Sequence, residues 1–116
     1  MNENYYKIML SYEIPYNVLD SQDPDVIKAR DTLYAHLRDS IPPKYDRFSV
    51  KLVLHQVKDT YNYLLTYDAF FRCRGDKPMG EYVEARDLKD SIKKEIEEFF
   101  NSVDCDYRQL NIKALL

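Results

Sequence analysis

The sequence predicts an α+β sandwich in which four antiparallel strands, in the order 4-1-3-2, carry two helices on one face. Two observations carry that expectation. Along the 116 residues the hydrophobic period runs 2, 3.6, 2, 2, 3.6, 2, which is a β-α-β-β-α-β order of elements. Both predicted helices also have an apolar stripe to bury, and one face of a four-stranded sheet is a surface that takes both. Right-handed crossovers are expected for each β-α-β unit, with the first and third strands in the middle of the sheet.

Tyr5 to Ile14 alternates, with Tyr6, Ile8, Leu10, Tyr12 and Ile14 on one face and Tyr5, Lys7, Met9, Ser11 and Glu13 on the other. Pro15 stops the strand because proline removes a ladder donor, and residues 16–22 follow as a loop. Asp23-Pro24-Asp25 is a helix start: Asp23 caps free backbone N–H groups, and Pro24 supplies a preset φ where no donor is needed. Val26, Ala29, Leu33 and Leu37 form the stripe, widened by Ile27, Tyr34 and Ile41, until Pro42-Pro43 ends the helix.

Arg47 to Val57 alternates again, placing Phe48, Val50, Leu52 and Leu54 on the apolar side and Arg47, Ser49, Lys51, Val53 and His55 opposite. After a turn at Lys58-Asp59-Thr60, a third strand is expected from Tyr61 to about Arg74. Tyr61, Tyr63, Leu65, Tyr67, Ala69 and Phe71 share its core face; Leu64 and Phe70 stand among Asn62, Thr66, Asp68 and Arg72 on the other. A strand apolar on both sides is usually central. Gly75 to Gly80 has loop composition, and Ala85, Leu88, Ile92, Ile96, Phe99 and Val103 then repeat at helical spacing, with Asp90 and Lys94 paired on the outer face. Asp104-Cys105-Asp106 turns the chain. Arg108, Leu110, Ile112, Ala114 and Leu116 alternate with Tyr107, Gln109, Asn111 and Lys113 as a last strand. The expected architecture is the split β-α-β, or ferredoxin-like βαββαβ, sandwich, formed as a single α+β domain over residues 1–116.

Composition narrows the function classes. Two glycines, Gly75 and Gly80, leave no room for a Gly-rich loop that cradles phosphate. A net charge of −3 with interspersed signs argues against duplex nucleic acid or an anionic membrane as partner. The N-terminal residues lack the pattern of a signal peptide, no apolar run has spanning length, and Cys73 and Cys105 make no disulfide framework. A cytoplasmic protein is expected. Both cysteines are expected to be packing residues.

No residue set has the spacing of an active site or a metal centre. His36 and His55 lack ligand spacing, and no nucleophile elbow or Ser/His/Asp set is present. Asp23 and Asp25, in the acidic cluster that begins with Asp20, answer to the helix dipole. Arg72 to Lys77 is the most basic short stretch. No enzyme activity and no cofactor are expected.

The sheet face without helices is therefore the expected place of function. Met9, Val53, Leu64 and Phe70, with Lys51 and Arg72 among them, are the expected interface residues, contacting another protein or a second copy of this chain as a homodimer. An inhibitor or adaptor is the expected class. A compact chain rich in Tyr and Asn also resembles phage and mobile-element inhibitors of host machinery.

Two further resemblances define the alternative. Aromatics on the central strands of this topology resemble the RNA-recognition motif, which stacks bases on that sheet. Here Tyr61-Asn-Tyr-Leu-Leu-Thr-Tyr-Asp-Ala-Phe-Phe71 lacks the basic-Gly-aromatic-Gly-aromatic run, and the open face of the first strand offers only Tyr5. The stretch Tyr6-Lys-Ile-Met-Leu-Ser-Tyr-Glu-Ile-Pro15 resembles the opening strand of ferredoxin-like nuclease subunits of the CRISPR-adaptation type. Those place a metal-binding Asp at the strand end, where Glu13 stands here; Asp68 is the other acid expected on that face near its centre. The two resemblances imply a nucleic-acid-binding module or a metal-dependent nuclease subunit.

Overall fold

The computed structural model describes residues 5–43, 45–73 and 78–115. The elements run β1 (Tyr5–Ile14), α1 (Pro24–Arg38), β2 (Tyr45–Gln56), β3 (Tyr63–Cys73), α2 (Pro78–Ser102) and β4 (Arg108–Leu115), with a 3-10 turn at Val18–Asp20. All strand pairs are antiparallel in one sheet of order β2-β3-β1-β4, a row that reads 4-1-3-2 when counted from the β4 edge. β1 and β3 are central, and β2 and β4 are the edges. α2 lies over β1 and β4, while α1 lies against α2 and the 3-10 turn.

β1 has the expected bounds, and its even-numbered residues from Tyr6 to Ile14 are all buried. Asp23 caps α1 by accepting a bond from the Asp25 N–H at 2.9 Å, with Pro24 as the first helical residue; such caps stabilise by about 1 kcal/mol. The helix ends earlier than the prolines suggest. It stops at Arg38, and the Ser40 hydroxyl donates to the Leu37 carbonyl at 2.6 Å, so Ile41 joins the core from beyond the helix. The loop after β1 also carries structure, since the 3-10 turn buries Val18 completely.

The expected face of Phe48 is wrong, and a bulge explains it. Arg47 pairs with Phe71 and Ser49 with Phe70, so Phe48 is the extra residue. An inserted residue reverses the alternation that follows it. Tyr45 and Arg47 therefore fall on the helix side with odd numbers, while Val50, Leu52 and Leu54 fall there with even ones. Phe48 turns to the open face, 50% exposed. Arg47 lies on the helix side rather than the open one, where its Nη1 donates to the Arg38 carbonyl at 2.7 Å.

β4 has a similar irregularity. Ser11 pairs with Asn111 and Tyr12 with Gln109, leaving Leu110 over. Leu110 is 40% exposed, and Arg108 reaches Glu13 on the open face. Tyr61, expected inside the third strand, precedes it and is 90% exposed. Residues 78–80, expected in a loop, open α2; Pro78 is tolerated because the first helical turn needs no donor there. Lys94 stands 3.9 Å from Glu98, one turn ahead, rather than pairing back to Asp90.

One core cluster joins the helix side of β1 and β3 to Leu33 and Leu37 of α1 and Ile92, Ile96, Phe99 and Phe100 of α2. At one polar edge, Glu97 accepts from the Tyr12 hydroxyl at 2.9 Å and the Tyr107 hydroxyl at 3.2 Å, and Lys93 stands 3.0 Å away. Burial, reinforced by Glu97, pushes the Tyr12 phenol well above its ordinary value. Burial likewise raises Tyr67 to about 12 and the Cys105 thiol to about 11.

These shifts set an alkaline limit. Each group is neutral in the fold and loses its proton more readily in the unfolded chain, so their stabilisation is complete below the unfolded values. As pH rises past 9.0 for the thiol and 10.0 for the phenols, the unfolded state ionises first. Stability then falls by about 1.4 kcal/mol per pH unit for each such group until its folded value is passed. Urea midpoints measured from pH 8 to pH 12 are expected to drop beyond about pH 9, and Tyr67→Phe is expected to make that drop shallower. A midpoint that stays level through pH 12 would contradict the burial of these groups.

Candidate functional site

The open face is the side of the sheet opposite the core cluster, and the strand register orders its residues into rows. From β2 toward β4, the first row holds Asp46, Arg72 and Tyr5. The next holds Phe48 and Ser49, then Phe70 and Lys7; the third holds Lys51, Asp68 and Met9. Val53, Thr66, Ser11 and Asn111 make the fourth, and His55, Leu64, Glu13 and Arg108 the fifth.

All six residues expected at the interface lie on this face. The four apolar ones do not form one patch. Phe70 and Leu64 are six positions apart on β3, about 20 Å by strand rise. Between them lie Asp68 and Thr66, and the Thr66 hydroxyl is 3.4 Å from that of Ser11.

What gathers instead is aromatic. Tyr5, Phe48 and Phe70 come from three neighbouring strands, with ring centroids 5.2–5.9 Å apart in every pair. The Arg72 guanidinium carbon is 5.8 Å from the Phe48 centroid, and Arg72 Nη2 donates to Asp46 at 2.6 Å. Phe70 is 38% exposed. Sequence reasoning finds Tyr5 and Phe70 on this face but misses Phe48, because strict alternation through residues 47–57 hides the bulge. The charged pair Asp46-Arg47 set between Tyr45 and Phe48 is a local sign.

Charges on the face are largely matched. Lys7 lies 3.6 Å from Asp68, Arg72 pairs with Asp46, and Arg108 donates to Glu13 at 2.9 Å. The hydrogen bonds from Arg108 and from Asn62, the latter at 2.8 Å, hold the Glu13 carboxyl below its ordinary value. Lys51 has no ion-pair partner among the described residues.

Glu13 and Asp68 do not converge on a metal. Asp68 pairs with Met9, four positions before Glu13 on β1, which separates their rows by about 13 Å. Among the described residues, no group of three His, Cys, Asp or Glu side chains could hold a metal ion.

His36 lies on α1, where its Nδ1 meets the Glu95 carboxylate of α2, and His55 is exposed on the open face. Cys105 is buried, as a packing residue should be, and its Sγ contacts the Asp106 carbonyl at 3.4 Å. Most of the basic stretch after Arg72, residues 74–77, lies outside the described residues. Among those described, no helix is long and apolar enough to cross a membrane. Comparisons with protein-family models, curated proteins and solved structures found no match.

Proposed function

We propose that this is a small binding or regulatory protein, without catalytic activity of its own, that acts by contact with another protein through the open sheet face. In this reading the sandwich is ferredoxin-like, with its helices behind the sheet and its function in front. The observation that carries the proposal is the Tyr5–Phe48–Phe70 cluster on the side the core does not use, with Phe48 and Phe70 exposed and Tyr5 half-buried. Aromatic side chains are enriched in protein interfaces and supply much of their binding energy. The matched ion pairs around the cluster leave little net field, which suits a protein surface better than a phosphate backbone.

Site-specific photo-crosslinking tests this. A benzophenone side chain in place of Val53 on the open face is expected to give a discrete protein adduct that Phe70→Ala abolishes. The same group in place of Arg86, exposed on α2, is expected to give none. Adduct mass separates a second copy of this chain, the homodimer, from a different protein. Adducts from both positions alike, or from neither, would overturn the proposal.

Single-stranded nucleic acid is the second reading. It is favoured by the Arg72 guanidinium over the Phe48 ring and by the exposed Phe48 and Phe70 rings beside each other, the elements of a base-stacking platform. Oligonucleotide binding that weakens with salt and is lost in Phe70→Ala and Lys51→Ala would select it.

A further inference from the structure

A second surface lies around the β2 edge, where the helical layer stops short of the sheet. On β3 the helix-side residues Leu65, Tyr67 and Ala69 are fully buried; on β2 their partners Leu54, Leu52 and Val50 are only half-buried. The space left beside them is a cleft of about 460 Å³, between Tyr34, Leu37 and Arg38 of α1 and residues 47–52 of β2, with Tyr67 contributing from β3. That volume lies in the range of small-molecule sites, about 300–1,000 Å³.

The charge in the cleft is one-sided. Arg38 and Arg47 line it, Lys51 borders it from β2 with its side chain on the open face, and no acidic residue lines it among those described. Asp39 is 3.9 Å from Arg38 but is not among the residues that line the cleft. The bulge sets Arg47 on this side, and its bond to the last carbonyl of α1 fixes the guanidinium at the rim. The remaining donors of that guanidinium have no acidic partner among the described residues. The Tyr67 hydroxyl bonds Ser40 at 2.7 Å, and Ser40 donates its own proton to the Leu37 carbonyl. The polar atom of Tyr67 is thereby occupied, and Leu52 and Val50 present apolar surface beside it.

We infer that this cleft binds a small organic anion: a carboxylate or phosphate held by Arg47 and Arg38, on an aromatic or aliphatic body lying against Tyr34, Val50 and Leu52. Arginine forks suit both head groups, and the apolar wall takes the body out of water.

Titration of the intact chain with naphthoate, naphthyl phosphate and neutral naphthamide, followed by amide NMR shifts, tests the inference. At least one anion is expected to bind saturably, with shifts confined to residues 34–38, 47–52 and 67. Which anion binds tighter identifies the head group. Naphthamide, and either anion with Arg47→Gln, should bind about tenfold more weakly, the loss of one charge-assisted hydrogen bond. Arg47→Lys should retain most of the binding. Equal binding of naphthamide to the unaltered protein, shifts centred on Tyr5 and Phe70, or saturable binding by neither anion would overturn it.

Discussion

Phe100→Ala is expected to destabilise the fold by about 3–5 kcal/mol, enough to leave a domain of ordinary stability barely folded. Phe100 has no exposed surface, and it meets Tyr12 edge-on at 5.4 Å and Tyr107 face-on at 5.0 Å. Removing the ring opens a void beneath the two hydroxyls that share Glu97. Those groups can relax into it only by breaking their bonds to the carboxylate. Urea unfolding monitored by far-UV circular dichroism measures the cost. A loss under about 1 kcal/mol would mean that α2 is not packed on β1 as described. Ile96→Ala, also fully buried, should cost about 2–5 kcal/mol.

Phe70→Ala is expected to do the opposite: to spare folding and weaken association. A truncated aromatic anchor commonly costs about 2 kcal/mol or more of binding, roughly thirtyfold in affinity. Phe70 lies outside the core cluster, so its folding cost should be well below that of Phe100→Ala. Phe48→Ala should act in the same direction. The two losses should not add, because the rings touch and each holds the other in place. Paired measurements of urea midpoint and partner affinity on each variant decide the matter. If Phe70→Ala unfolds the chain as badly as Phe100→Ala and leaves association intact, both the face assignment and the proposed interface fail.

Much of the architecture was legible because each element states its period clearly. β1 alternates without exception, Asp23-Pro24 announces the start of α1, and Tyr63 to Phe71 separates cleanly into two faces. What escaped follows from single-residue events. A bulge at Phe48 leaves the hydrophobic alternation of residues 47–57 intact to the eye, yet exchanges the faces expected for Phe48 and for the Arg47 before it. The same happens around Leu110. Pro78 and Gly80 look like loop residues, although a proline fits a first helical turn equally well. The Arg47 cleft was out of reach for another reason: it depends on how far α1 and α2 extend over the sheet, which no local pattern encodes. Of the open face, membership could be read residue by residue, but the clustering of Tyr5, Phe48 and Phe70 could not.

β2 has one further consequence, for solubility. It is a long edge strand, Tyr45–Gln56, whose outer backbone groups no neighbouring strand covers, and such an edge is a template on which other chains can polymerise. The bulge breaks its straight run, so that a regular ladder is available only along Ser49–Gln56. Within that run Lys51 carries its charge near the middle, between the apolar Val50 and Leu52. A chain that lost both the kink and that charge would offer a longer regular edge, with an apolar centre from Val50 to Leu54, to its neighbours. The geometry that exposes Phe48 thus also shortens the edge on which another chain could add a strand.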